Sequence, residues 1–94
     1  MEQKHFPSNF RKDLKQLSAQ MPSYVAKCHH ILAELRLGRH YADLGGKALR
    51  CRPDYVRFKL GQRYRLLVRK NGINWKPFSV ISHERYNAFL KRRG

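Results

Sequence analysis

The apolar residues of this chain change their spacing near its middle, and that change restricts the fold more than any other feature. Phe10, Leu14, Leu17 and Met21 recur every three or four residues, the repeat of one stripe along a helix. Val56, Phe58 and Leu60, and then Tyr64, Leu66 and Val68, recur every second residue, the repeat of half-buried strands. Helices first and strands after them define an α+β chain. With 94 residues there is room for one domain, spanning 1–94, and little room for a large internal ligand pocket.

The punctuation between these runs gives the order of elements. Ser8 or Asn9 can cap the first helix, and Pro22 ends or restarts it. A second helix is expected over Ser23–Leu37, with Val25, Cys28, Ile31, Leu32 and Leu35 inward and Gly38 as its stop. The turn at Gln20–Ser23 makes the two an antiparallel hairpin. Arg39–Pro53, with Gly45, Gly46 and Pro53, reads as a connecting loop. Three strands follow as a meander. Gly61-Gln62 turns the first into the second, and Asn71-Gly72 is a type I′ hairpin signal before the third, Ile73–Ile81. Pro77 cannot donate to a ladder, so the third strand lies at an edge or carries a bulge. Ser82 then caps a last helix, His83–Lys91, with Tyr86, Phe89 and Leu90 inward.

Charge enters because the strands carry so much of it. Lys and Arg number 21 against 6 Asp and Glu, a formal +15, and such an excess calls for an anionic partner. At 41% hydrophobic residues the chain is too apolar for a disordered basic tail. No apolar run approaches the roughly 18 residues of a membrane span, and Met1–Lys4 lacks a signal peptide's apolar core. A cytoplasmic location away from membranes is therefore expected. Cys28 and Cys51 lack metal-ligand spacing, so no metal site is expected. Cys28 reads as a small buried residue, with a disulfide to Cys51 as the alternative.

Alternation puts Arg57 and Lys59 beside Arg63, Arg65 and Arg69, on a sheet face left free if the helices pack on the other. Neither strand supplies an acid, and Arg offers a planar fork suited to phosphate oxygens. The face is a candidate polyanion surface, against the plainer reading of a solvated charge run. His83, Arg85 and Tyr86 sit where the third strand meets the last helix. His83 is a candidate proton-transfer group, Tyr86 a phenol donor or a core residue, and Arg85 a further cation. His29, His30 and His40 have weaker claims. Tyr55, Tyr64 and Trp75 either stack bases or pack the sheet.

Several segments, taken in order, resemble a known family. They are Gly46-Lys-Ala-Leu49, Val56-Arg-Phe-Lys-Leu60, Arg63-Tyr-Arg-Leu66, Trp75-Lys-Pro-Phe78 and Val80-Ile-Ser-His83 followed by Tyr86. From about Leu44 to Leu90 the chain resembles the RelE/ParE superfamily of small bacterial toxins from type II toxin–antitoxin pairs. The helical hairpin before the meander also suits that family. The resemblance implies a helical hairpin packed on a small antiparallel sheet with a short C-terminal helix. An extra N-terminal strand is usual in the family, and here only a degenerate Lys4–Phe6 could supply it. RelE-like members cut messenger RNA in the ribosomal A site without a metal, using the 2′-hydroxyl as nucleophile; ParE-like members poison DNA gyrase and cleave nothing.

On the first pattern, Arg65 matches the arginine set against the scissile phosphate. Lys59 and Arg57 match basic strand residues that bind the backbone or assist as base. His83, Arg85 and Tyr86 fall where the family places its remaining catalytic groups. The catalytic set so implied is Arg65, His83, Tyr86 and Lys59. Arg57, Arg63, Arg69, Arg85 and Lys47 are implied as phosphate-binding residues, with no cofactor. An acidic antitoxin, the ribosome and messenger RNA are the implied partners, or DNA gyrase on the ParE-like alternative. A non-catalytic basic nucleic-acid-binding domain is the third reading.

Overall fold

The computed structural model describes residues 8–50 and 52–91. The helical stripe forms α1 (Ser8–Gln20), which buries Phe10, Leu14 and Leu17. Pro22 opens α2 (Pro22–Arg36), where its missing N–H leaves no helical bond unmade. Only Met21 separates the two helices. It is not helical, and so it leaves the predicted stripe and is 37% exposed. Ser8 and Asn9 are already helical, so neither stands outside α1 as its cap. Cys28, Ile31, Leu32 and Leu35 are buried on α2, Val25 is half-buried, and Gly38 follows the helix end with a positive φ.

The expected connecting loop contains structure. A short 3-10 turn spans Tyr41–Leu44, and β1 (Gly46–Ala48) follows it. Then come β2 (Tyr55–Lys59), β3 (Tyr64–Asn71), β4 (Asn74–Ser82) and α3 (His83–Lys91). Among the described residues the sheet is antiparallel with four strands in the order β1-β2-β3-β4, one more than the three-strand meander. The added strand comes from the middle of the chain; Lys4–Phe6 lie outside the described residues. Gly46 makes β1 fit, because it pairs opposite Phe58 and a Cβ there would stand 2.6 Å from the Phe58 ring.

The β3–β4 hairpin closes through Gly72 and Ile73, with Asn71 paired to Asn74. Among the described residues only glycines have positive φ, and Gly72 sits at +66°. One positive φ at the first loop position fits a type II′ turn in place of the expected I′. Pro77 meets both expectations. Among the described residues β4 is an edge strand, and its register against β3 slips between Leu67↔Ser79 and Val68↔Pro77, leaving Phe78 as the extra residue of a bulge. Asp13 of α1 closes the neighbouring strand edge. One carboxylate oxygen accepts from Ser79 Oγ at 2.7 Å and from the Val80 N–H at 3.1 Å.

α1 and α2 pack on the face that carries Val56, Phe58, Leu60, Leu66, Val68 and Val80. The other face is not free. Leu67 points there and is fully buried, over a cavity of about 330 Å³ whose walls include Phe78, Ile81, Ala88 and Phe89. α3 is therefore laid across the β3–β4 half of that face. Its anchor is an aromatic knot, with Tyr55 edge-on to Phe78 at 5.1 Å and to Phe89 at 5.6 Å. Ser82 caps α3 as expected, its Oγ accepting from the Arg85 N–H at 3.3 Å.

Two measurements test this packing. Asp13→Ala removes the one acceptor of both hydrogen bonds at the bulged edge and should lower unfolding stability by about 2 kcal/mol, read from urea denaturation. Cys28 is a buried free thiol, and burial pushes its pKa from 9.0 up to about 12, with Lys27 opposing. Between those values the unfolded chain gives up a proton that the folded chain keeps, so stability falls as pH rises above 9. Cys28→Ala should show a shallower alkaline decline than the parent in the same melts.

Candidate functional site

Cross-strand register decides which of the predicted cations meet. Lys47 of β1 stands opposite Arg57 of β2, and Arg57 stands opposite Leu67 of β3. Lys59 stands opposite Arg65, and Arg65 opposite Ile81. Opposed side chains share a face, so Lys47, Arg57 and Lys59 share a face with Leu67, on the half that α3 leaves open. Lys47 and Lys59 are exposed and Arg57 is half-buried. None of the three forms an ion pair with a carboxylate among the described residues. Three like charges on neighbouring strands raise each other's energy unless an anion sits among them.

Arg65 is placed otherwise than the alternation alone implies. It is only 7% exposed, which corrects the expectation of an arginine on a free face that carries no packing. Its Nη1 donates to the carbonyl oxygens of Tyr64 at 3.0 Å, Gln62 at 3.2 Å and Gly61 at 3.5 Å. The guanidinium carbon stands 6.0 Å from the centre of the Tyr86 ring, at cation–π distance. The buried charge is thus held by the β2–β3 turn and roofed by α3. No signal within the Arg63–Lys70 alternation distinguishes it, because the roof comes from residues twenty positions later.

The other predicted residues divide by position. Arg69 is exposed, and its Nε donates to Asp54 at 3.1 Å. Asp54 lies just ahead of β2, so the acid that neither strand supplied comes from the adjoining turn. Arg63 is exposed beside the start of β3, and its carbonyl accepts the His83 N–H at 2.6 Å. That bond sets the first turn of α3 at the Lys59–Arg65 end of the sheet. His83 and Tyr86, three residues apart, share a helix face; His83 is exposed and Tyr86 half-buried. Arg85 lines a cavity of about 140 Å³ with Asp13, Gln16 and Gln20 of α1, away from the open half. The structure brings together Lys59, Arg65 and Tyr86, with Arg57 and Lys47 alongside. It leaves Arg69 and Arg85 elsewhere.

Sequence reasoning placed Phe89 inward and offered Tyr55 as a packing residue, but it missed Asp54 and the meeting of these rings with Phe78. Asp54 and the aromatic knot of Tyr55, Phe78 and Phe89 set the far boundary of the open half. The run Leu66-Leu67-Val68 was the signal for the covered second face, since unbroken apolar residues in a strand indicate burial on both faces; nothing comparable marked Asp54. β1 gave no comparable signal beyond the glycines. His40 does structural work: its Nδ1 accepts from the Ala42 N–H at 3.1 Å and starts the 3-10 turn. Among the described residues no three His, Cys, Asp or Glu side chains gather to hold a metal ion, and no helix is long and apolar enough to cross a membrane.

A small basic α+β domain with a helical pair on one sheet face and a short C-terminal helix over half of the other is the architecture that the toxin resemblance implied. A family model agrees with that resemblance. The ParE-like toxin domain matches residues 22–88, from α2 to the last turn of α3. The chain belongs to this toxin family, within the RelE/ParE superfamily. No curated protein and no solved structure matches it.

The burial of Arg65 changes what its replacement should do. Arg65→Ala removes three carbonyl contacts and a ring contact and should lower stability by about 2 kcal/mol, measured by urea unfolding. Arg65→Lys should recover only part of this, because an ammonium lacks the planar guanidinium that stands over the Tyr86 ring.

Proposed function

We propose that this chain is the toxin of a toxin–antitoxin pair and that it cuts messenger RNA on the ribosome. The observation that carries the reading is the row of Lys47, Arg57 and Lys59, without carboxylate partners and bordered by the Arg65–Tyr86 contact. Cleavage by a 2′-hydroxyl makes simple demands. A base must take its proton, cations must stabilise the pentacoordinate phosphate, and an acid must protonate the departing 5′-oxygen. Arg57 and Lys47 hold the RNA backbone, and Lys59 lies against the reacting phosphate. Tyr86, whose ring meets the Arg65 that pairs with Lys59, takes the proton-transfer role, with His83 one helical turn away on the same face. Arg65 acts as a positioning residue, fixing the Tyr86 ring and the β2–β3 turn. The antitoxin on this reading is acidic and covers the same open half, which relieves the repulsion among its cations.

One observation favours a second reading, poisoning of DNA gyrase without cleavage. The Nη1 of Arg65 is turned to the β2–β3 turn, whereas a RelE-like enzyme sets this arginine against phosphate.

Inducible expression separates the two. On the RNA reading, messages are cut within minutes of induction and translation stops before DNA synthesis does. Tyr86→Phe keeps the ring over Arg65 and should lower cleavage by about 100-fold or more with an unchanged melting midpoint. Lys59→Ala should weaken cleavage with the fold intact. Intact messages with halted DNA synthesis, indifferent to His83→Ala, would replace this reading with the gyrase one.

A further inference from the structure

At the opposite end of the sheet lies a second group of aromatic and basic side chains that the proposed function does not use. Lys70 pairs with Trp75 beside the hairpin turn, five residues along β3 from Arg65, which is roughly 17 Å at strand spacing. Tyr41 and Trp75 pack against the core beneath α1 and α2, so this group faces away from the Lys47–Arg57–Lys59 row. A cavity of about 340 Å³ opens there, lined by Arg39, His40, Tyr41, Lys70, Ile73 and Trp75 together with two glycines. Its size falls within the range of small-ligand sites.

The walls of the cavity are rings. His40 stacks on Tyr41 with centroids 4.4 Å apart, and Tyr41 meets Trp75 edge-on at 6.0 Å. The hydrogen bond from the Ala42 N–H to His40 Nδ1 holds the outer ring in place. Ile73 stands at the rim, 92% exposed. No acid lines the cavity. Arg39 is paired with Glu34 at 3.2 Å. Lys70 has no carboxylate partner among the described residues, and its Nζ lies 5.8 Å from the centre of the Trp75 ring. Flat aromatic walls beside an unneutralised cation fit a ligand that is itself flat and anionic.

We propose that this cavity is a second RNA-binding site, taking one nucleotide of a single strand with its base against the Tyr41 and Trp75 rings and its phosphate on Lys70. Base–aromatic stacking tolerates any base, and the lysine supplies the charge-dependent part of the affinity. The site needs RNA binding but no cleavage, so it rests on the RNA reading for its ligand alone.

Trp75 is the one tryptophan of the chain, which makes its emission a reporter of this cavity. Tetrauridylate should quench that emission to saturation. Lys70→Ala should weaken the titration about tenfold and reduce its salt slope by about one, while Lys59→Ala leaves the quench unchanged. Circular dichroism melts of each variant show that the fold is kept. Where RNA cleavage fails but the quench and its Lys70 dependence hold, the cavity stands and the ribonuclease reading falls. Three outcomes overturn the site: anisotropy reports bound RNA while Trp75 emission stays flat; inorganic polyphosphate quenches as strongly as tetrauridylate; or a glutamate peptide quenches and RNA does not.

Discussion

Leu66, Leu67 and Val68 follow one another along β3, and all three are fully buried. Because successive side chains leave a strand on opposite faces, no single layer of helices can cover them. α1 and α2 take Leu66 and Val68, and something else must take Leu67, whose burial is worth about 1.5–3 kcal/mol. α3 does so, although none of its own residues is fully buried. Its hold depends on the Tyr55–Phe78–Phe89 knot and on the hydrogen bond from the His83 N–H to Arg63. The Pro77 bulge contributes directly, since Phe78 is the extra residue it releases from the ladder.

From that covering helix follows the sorting of the positive charge. Arg65 falls under the roof and needs internal acceptors, which the carbonyls of the β2–β3 turn provide. Arg69 lies beyond the aromatic knot and pairs with Asp54. Lys47, Arg57 and Lys59 remain on the uncovered half with no acid among them. A buried charge left without acceptors would be far more costly than any surface repulsion, so Arg65 is satisfied internally while the open row keeps no carboxylate partner among the described residues. The same division explains why Arg65 and Lys59, directly opposite in register, should respond so differently to substitution.

Much of this was legible in advance where the controlling interactions are local. The stripe Phe10, Leu14 and Leu17, the α2 face from Cys28 to Leu35, Pro77 at a bulged edge and the Ser82 cap each depend on residues within one element or one turn. β1 was not legible, because a three-residue strand containing Gly46 has too little pattern to show; its place depends on the Phe58 ring opposite. The hairpin turn was located to within one residue but typed wrongly, since Asn71 went into the strand ladder and Gly72 alone took the positive φ. That Arg57 and Lys59 share one face of the sheet was legible, whereas the burial of Arg65 depends on a helix that begins eighteen residues later.

By itself the sequence determined an α+β order, a strongly basic strand pair and membership of a toxin superfamily, because periodicity, charge and motif spacing are properties of neighbours along the chain. Only the tertiary structure decided which cations stay open. Their fates depend on where α3 lies across the sheet and on whether β1 extends it. Both are settled by long-range packing, of Leu67 under one and of Gly46 against Phe58 in the other, that no local pattern encodes.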